Sequence, residues 1–482
     1  MDRVSVRRSH PARADGRRAR PRRGLRGGAA GPLHLRARDP AERQALLDDG
    51  TFSWWVAEDF KLNFWRPVSS ATHLIDEALW PEAPALHHLH SVAWFLLLLL
   101  SAARLYRRLH VHWVASLALL LFALDDAHGP AVGFIANRNA LVAAVFGLAA
   151  LLAHDRWRRD GWRPGAWVGP VLMAGALLAG EAALGVFGYL VAYAWFLDPA
   201  PWRRQLAAIA PHLLIGLSWA VAYKALGHGT VGSGIYLDPS GEPGAYLVEG
   251  AQRVPVLMLA QFALPWSDFW LLYPPDIARS VFITGVAVLL NGTWLMWPLA
   301  RPNPVIRFWA VGALLACLPI AATFPSDRLL VLVGLGAMGQ VAALIATQLD
   351  TAAFAGVRGK LWHSSLRSNA FMLVLIHLLI AAVLLPVRSM SMQTVGDGLA
   401  MFDRAVPADA SVAGKTVVCV NAPSDGLVSY LHLLRASRGA PRPERLRLLS
   451  TGVVEAPRPR GLRHPLTHRG EPRLAGAGSQ FI

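Results

Sequence analysis

The chain has 482 residues, 54% of them hydrophobic and 16% charged, with a mean hydropathy of +0.36. That is too apolar for an ordinary soluble protein, and 18 tryptophans suit anchoring at membrane interfaces. The net charge of +16 does not indicate a nucleic-acid partner, because residues 1–43 and 457–473 together hold +13 of it and neither end interleaves aromatics for base stacking.

Both ends have the Arg/Pro/Gly/Ala bias of disordered chain, or of GC-rich DNA read from a wrong start or in a shifted frame. Residues 1–43 and 456–482 are therefore expected to be disordered tails without a function of their own. No secretory signal is visible, since the basic start is not followed by a short apolar core.

From residue 44 the chain carries "LLDDGTFSWWVAEDFKLNFWRPVSSATHLIDEALW", a mixture of acids and tryptophans suited to a membrane surface. Apolar runs follow at about 89–106, 113–127, 138–154, 166–180, 183–197, 206–226, 279–298, 308–324, 328–348 and 369–387. Each is near the length of a bilayer crossing. Taken as one helix, residues 166–197 would extend about 48 Å, well past a hydrocarbon core of about 30 Å. Two spans turning at Gly180-Glu181 are expected instead.

The hairpin puts Arg107-Arg108, Arg156, Arg158, Arg159, Arg203-Arg204, Arg301, Arg307, Arg358, Lys360 and Arg367 on one side, the cytoplasm by the positive-inside rule. The opposite side receives residues 44–88, the loop 126–137, the turn at Glu181, a long loop 227–278, the turn "FPSD" and everything after 388. The Arg-rich start falls on that exterior side as well, against the rule. An additional span upstream of about residue 44 would resolve this.

Beyond 388, "KTVVCV" and "RLRLLST" have strand patterns around a helical "SDGLVSYLHLLRAS". The expected fold is an all-α polytopic membrane bundle of about ten helices over 44–388, with a small βαβ-like α/β exterior domain over 389–455. Cys317 belongs to the membrane and Cys419 to that domain, so neither a disulfide nor a thiol metal site is expected.

Candidate functional residues gather on the exterior side. Asp48 and Asp49 are adjacent carboxylates beside Gly50, suited to a general base or to a bound divalent cation. Glu58, Asp59 and Asp76 are expected to be solvated. "DDAHGPAVGFIANRNAL" places Asp125, Asp126, His128 and Arg138 between two spans. Their alternatives are a capped helix end with an Asp126–Arg138 ion pair, or one wall of a pocket shared with Asp48-Asp49. His87, His88 and His90 are either metal ligands or interfacial residues.

Glu181 is the lone charge in about thirty apolar residues and needs a partner, Arg138 or a substrate. In "GHGTVGSGIYLDP", Tyr236 and Asp238 belong to a flexible glycine-rich loop able to close over a substrate. Arg328, in "FPSDRLL", either pairs with Asp327 or clamps a phosphate.

"FWRPVSSATHLIDEALW" followed by "ALHHLHSVAWFLL" resembles an arginine-proline element and histidine-bearing span of GT-C membrane glycosyltransferases, especially the protein O-mannosyltransferase and TMTC-like group. "DDAHGPAVGFIANRNAL" is similar to that group's "HPVHTE…GRADLL" region, with His128 and Arg138 at matching positions. The resemblance covers about residues 45–155, and the later spans match by architecture alone. Pro130 stands where the group has the glutamate of "HTE", and His90 where its span has an asparagine.

The resemblance implies a catalytic carboxylate in the first exterior loop, matched by Asp48 or Asp49, and a polyprenyl-phosphate-linked sugar as donor. The carboxylate would deprotonate a hydroxyl of an acceptor protein or glycan, while Arg328 or Arg138 stabilises the departing lipid phosphate. Arg66, with its neighbouring proline, falls in the substrate-binding set. The site would face the periplasm from a bacterial inner membrane. It also implies a first span, which this sequence lacks, as a truncated or inactive copy would. A transporter or flippase of lipid-linked precursors would instead show internal repeats and broken helices near mid-bilayer, and dispersal of the carboxylates would favour either transport or a non-catalytic scaffold that presents the exterior domain.

Overall fold

The computed structural model describes residues 34–37, 39–349, 359–420, 422 and 425–451. The expected tail 456–482 and most of the Arg-rich start lie outside them. The start does not stay irregular to residue 43: β1 (His34–Arg36) and α1 (Pro40–Asp48) begin earlier. Asp39 caps α1 by accepting from the Glu42 amide at 2.8 Å, and Arg43 donates to the carbonyls of Val56 and Ala57.

β1 pairs antiparallel with β2 (Lys61–Asn63), which pairs antiparallel with β3 (Gly229–Val231). This small sheet joins two segments expected to be separate loops. α2 (Pro67–Leu79) opens with the proline that follows Arg66. α3 (Pro84–Leu109) extends about 39 Å, enough to cross a bilayer, and carries Arg107 and Arg108 in its last turn, where cations suit the helix dipole.

α4 (His112–Leu124) returns, and the short α5 (His128–Gly133) and one 3₁₀ turn lead into α6 (Arg138–Asp160). α6 stops at Gly161, whose φ of 70° is the left-handed conformation that favours glycine at this position. α7 (Gly165–Ala179) and α8 (Gly185–Phe196) form the expected hairpin, joined by a 3₁₀ turn that begins at Glu181. α9 (Trp202–Ala225) follows.

The region 227–278 is not simply a loop. α10 (Pro243–Phe262) lies in it, with Arg253, Val256, Leu257, Leu259 and Gln261 buried. Its Glu249, Arg253 and Pro255 break the apolar pattern that a membrane span would show. Both ends of α10 meet the same end of the bundle: Tyr246 Oη donates to the Leu318 carbonyl at 2.8 Å, and Gln261 Nε2 donates to Asp125 at 2.9 Å.

α11 (Pro275–Ala300), α12 (Pro304–Ile320) and α13 (Val331–Leu349) complete the inner bundle. α13 is the most enclosed. Tyr106 and Tyr189 donate their hydroxyls to its carbonyls at Leu335 and Leu332, both at 2.6 Å. Small residues let the helices approach closely: a Cβ on Gly336 would stand 2.6 Å from the Trp309 carbonyl oxygen. α14 (Lys360–Val374) continues through a π-helical turn into α15 (Ala381–Ser389), followed by α16 (Ser391–Ala405).

A helix thus lies on each of the ten apolar runs. Among the described residues six helical stretches are long and apolar enough to cross a membrane, and four of the ten are shorter. Leucines and valines such as Leu214, Leu217, Val221 and Leu290 face outward, a surface suited to hydrocarbon. The chain is an integral, multi-pass membrane protein. After α16, β4 (Thr416–Cys419) and β5 (Arg445–Leu448) pair in parallel, with α17 (Asp425–Ser437) between them in sequence.

Candidate functional site

Antiparallel packing sorts the charges to two ends. At the basic end Arg108 meets Asp155 and Asp160, Arg158 meets Asp198 at 2.8 Å, and His110 stacks on Trp309. The other, the acidic end, collects the carboxylates of the interspan turns in four groups.

The most buried group centres on Arg388, the last charged residue of α15. Its guanidinium donates to Asp126 (2.8 Å), Asp327 (2.7 Å) and Asp268 (2.5 Å), and lies 4.7 Å over the Trp266 ring. Asp327 also accepts from the backbone amide and hydroxyl of Ser267, and Asp268 accepts from Ser326 at 2.6 Å. Burial, then the charge of Asp268, raises the Asp327 carboxyl above its ordinary range, against the pull of Arg388.

Asp125 accepts from Gln261 and from the Ala127 amide. His128 packs between the rings of Phe95 and Phe122, and burial depresses its pKa despite the nearby Asp125 and Asp126. A close backbone contact fixes this group. A Cβ on Gly133 would stand 1.9 Å from the Ser389 carbonyl oxygen, so only glycine lets α5 approach the end of α15.

A second group is built on Arg138, fully buried with each of its three side-chain nitrogens hydrogen-bonded. It donates to Asp76 (2.5 Å), the Ser91 hydroxyl (3.0 Å) and the His87 carbonyl (2.7 Å). His90 Nδ1 bonds Asp76 at 2.6 Å, and its Nε2 accepts from Trp94 at 3.0 Å. The Trp94 contact assigns the proton to Nδ1. Burial opposes ionisation of Asp76, but the bonds from His90 and Arg138 outweigh it and hold the carboxyl below its ordinary value.

Asp76 is therefore a buried anchor and not a solvated residue. Asp126 does not pair with Arg138; it pairs with Arg388. His90 serves Asp76, and among the described residues no set of three His, Cys, Asp or Glu side chains is arranged to hold a metal ion.

In the third group Glu181 accepts from Arg66 at 2.7 Å and from Tyr223 at 3.2 Å, so its partner is Arg66 and not Arg138. Arg66 lies 4.3 Å over Phe64, whose ring meets Tyr236 edge-on at 5.5 Å. Asp238 pairs with Lys224 and caps Ser240, tying the glycine-rich loop to α9.

The fourth group holds Asp48 and Asp49. Asp48 accepts from Gln44 at 2.9 Å and from Arg447 of β5, and Arg447 also donates to the Leu47 carbonyl. Asp49 accepts from the Thr51 amide at 3.0 Å and lies 3.9 Å from His432 of α17. Ser429 of the same helix donates to the Thr51 carbonyl. These two carboxylates therefore face the parallel-strand unit and not the Asp125-Asp126 loop, and none of these contacts joins them to that loop or to Glu181.

Arg328 differs from Arg66, Arg138 and Arg388. It does not pair with Asp327, which Arg388 takes. Its Nε is buried without a hydrogen-bond partner, and its guanidinium lies 5.7 Å from the Phe324 ring centroid. Among the described residues no carboxylate oxygen lies within 4.0 Å of it. Its charge reaches Tyr430 of α17, the helix that also carries His432.

Sequence reasoning missed Arg388, Asp268 and Gln261. Arg388 carries the same signal that marked Glu181, a lone charge in an apolar run ("AAVLLPVRSM"), and could have been found by it.

No family model matches the chain, and no curated protein matches it. Among solved structures it is similar to ArnT from Cupriavidus metallidurans, in a crystal structure bound to undecaprenyl phosphate, at 15% identity over 82% of each chain with a TM-score of 0.36. A likeness at that TM-score says nothing about function.

Proposed function

We propose that the chain is a GT-C-like membrane glycosyltransferase that moves a sugar from a polyprenyl-phosphate donor to a hydroxyl of an acceptor protein or glycan. The charge asymmetry of the loops supports an acidic end that faces the exterior, the periplasm of a bacterial inner membrane.

The observation that carries this reading is the sorting of cations at that end. Arg66, Arg138 and Arg388 are each held by carboxylates, whereas Arg328 keeps a guanidinium without one among the described residues. A departing lipid phosphate needs such a cation, half-buried and not already held by a carboxylate. Asp48 is committed to Arg447, which leaves Asp49, with its side chain 22% exposed, as the carboxylate to take the acceptor proton.

The test is transfer of labelled sugar from a polyprenyl phosphate by membranes carrying the chain. The expected result is that Asp49→Asn lowers transfer about 100-fold or more, the usual weight of a general base, and that Asp48→Asn lowers it less. Equal transfer by the parent and Asp49→Asn overturns the role of Asp49. Parent transfer no greater than that of membranes lacking the chain overturns the activity.

A further inference from the structure

The basic end holds a cavity that the sugar-transfer reading does not use. Arg104, Arg107 and Arg108 project from the end of α3, and Arg156 from the end of α6, around a hollow of about 510 Å³ bounded by Trp162 and Leu172. Its size suits a small ligand or a headgroup. The spacing 104, 107, 108 places the three α3 arginines on one face of the helix, so they converge on one place where simple positive-inside bias would let them spread.

Arg108 is committed to Asp155 and Asp160. The other three are not: among the described residues no carboxylate oxygen lies within 4.0 Å of Arg104, Arg107 or Arg156. Arg104 reaches the Leu100 carbonyl of its own helix at 3.5 Å, and Arg156 lies 4.5 Å over the Trp162 ring. Asp160 is near enough for its charge to feel Arg156, yet makes its contact with Arg108. The remaining wall is apolar, with Leu152 and Val168 beside Leu172.

Three uncommitted guanidinium groups above an apolar wall match an anion that carries hydrocarbon. We propose that this cavity binds the phosphodiester headgroup of an anionic phospholipid from the leaflet at the basic end, with Arg104, Arg107 and Arg156 on the phosphate and an acyl chain along Leu152, Val168 and Leu172. Guanidinium forks fit phosphate oxygens, and basic recesses between membrane helices recognise such headgroups. The apolar wall favours the lipid over free phosphate. This site is independent of glycosyl transfer and stands whether or not that activity does.

The test uses the purified full chain, delipidated in detergent, with native mass spectrometry to count bound lipid. Dioleoylphosphatidylglycerol should bind at least tenfold tighter than dioleoylphosphatidylcholine, and sn-glycerol 3-phosphate at equal concentration should not displace it. Arg104→Gln/Arg107→Gln/Arg156→Gln should abolish the preference, and Arg107→Gln alone, at an exposed position, should lower it roughly fivefold. Arg203→Gln/Arg301→Gln, at the same end but outside the cavity, should leave it intact. Equal binding of the two lipids, an unchanged preference in the triple and single variants, or an equal loss in the Arg203/Arg301 control overturns the site. Full displacement by sn-glycerol 3-phosphate overturns the lipid as its ligand.

Discussion

At the scale of single residues, a lone charge in an apolar run signals that a partner exists but not which one. That rule marked Glu181, and the acidic pair Asp125-Asp126 was marked by its place between two spans; each has a partner. The partners were not legible, because Arg388 lies 262 positions from Asp126 and 120 from Asp268, and Arg66 lies 115 from Glu181. Local patterns carry no information over such separations. Asp76 was misjudged for the same reason: the partner that buries it, Arg138, lies 62 positions away.

The Arg138–Asp76 pair makes a prediction at this scale. Both side chains are almost fully buried, so removing one leaves the other's charge uncompensated. Arg138→Ala should destabilise the folded chain by about 3–5 kcal/mol, measured by unfolding in detergent. Adding Asp76→Asn should restore part of the loss, giving a non-additive cycle. A loss below about 1 kcal/mol, typical of an exposed pair, would show that the two charges are solvated.

At the scale of elements, bilayer-length apolar runs were the strongest signal. All ten carry a helix, because a membrane-crossing chain must satisfy its backbone internally and its composition shows where. α10 escaped because Glu249, Arg253 and Pro255 interrupt its apolar pattern while one face of it is still buried. The three-stranded sheet escaped because three-residue strands are too short for an alternating pattern to register.

The link between α1 and β5 makes an element-scale prediction. Burial opposes ionisation of Asp48, but hydrogen bonds from Gln44 and Arg447 outweigh it and hold the carboxyl below its ordinary 3.8. A depressed folded value means that the stabilisation is complete above the ordinary value and is lost as pH falls through the folded one. Amides of residues 44–49 should stay protected from hydrogen exchange between about pH 5 and 8 and lose protection below about pH 4. In Asp48→Asn that acid-dependent step should vanish. Persistence of the step in the variant would assign it to another carboxylate.

At the scale of the whole molecule, the division of charge between two ends was readable from the basic clusters and the hairpin at Gly180-Glu181. The expected single hollow shared by Asp48-Asp49, Asp125-Asp126 and Glu181 does not form. These carboxylates form separate groups, each closed by its own arginine, because a desolvated carboxylate is stabilised most by the cation it touches. The proposal that the acidic end faces outward rests on the positive-inside rule, and a direct measurement tests it.

In a chain with Cys317→Ala and Cys419→Ser, a single cysteine placed at Ser240, exposed beside Asp238, should react with a membrane-impermeant maleimide in intact cells once the outer barrier is opened. One at Asn303, exposed between α11 and α12, should react only after the inner membrane is broken. The opposite pattern would put Arg328 and Asp49 in the cytoplasm, where no exterior acceptor hydroxyl could reach them. It would also place the arginine-lined cavity in the outer leaflet, so one labelling experiment fixes the side from which sugar acceptor and lipid headgroup each approach.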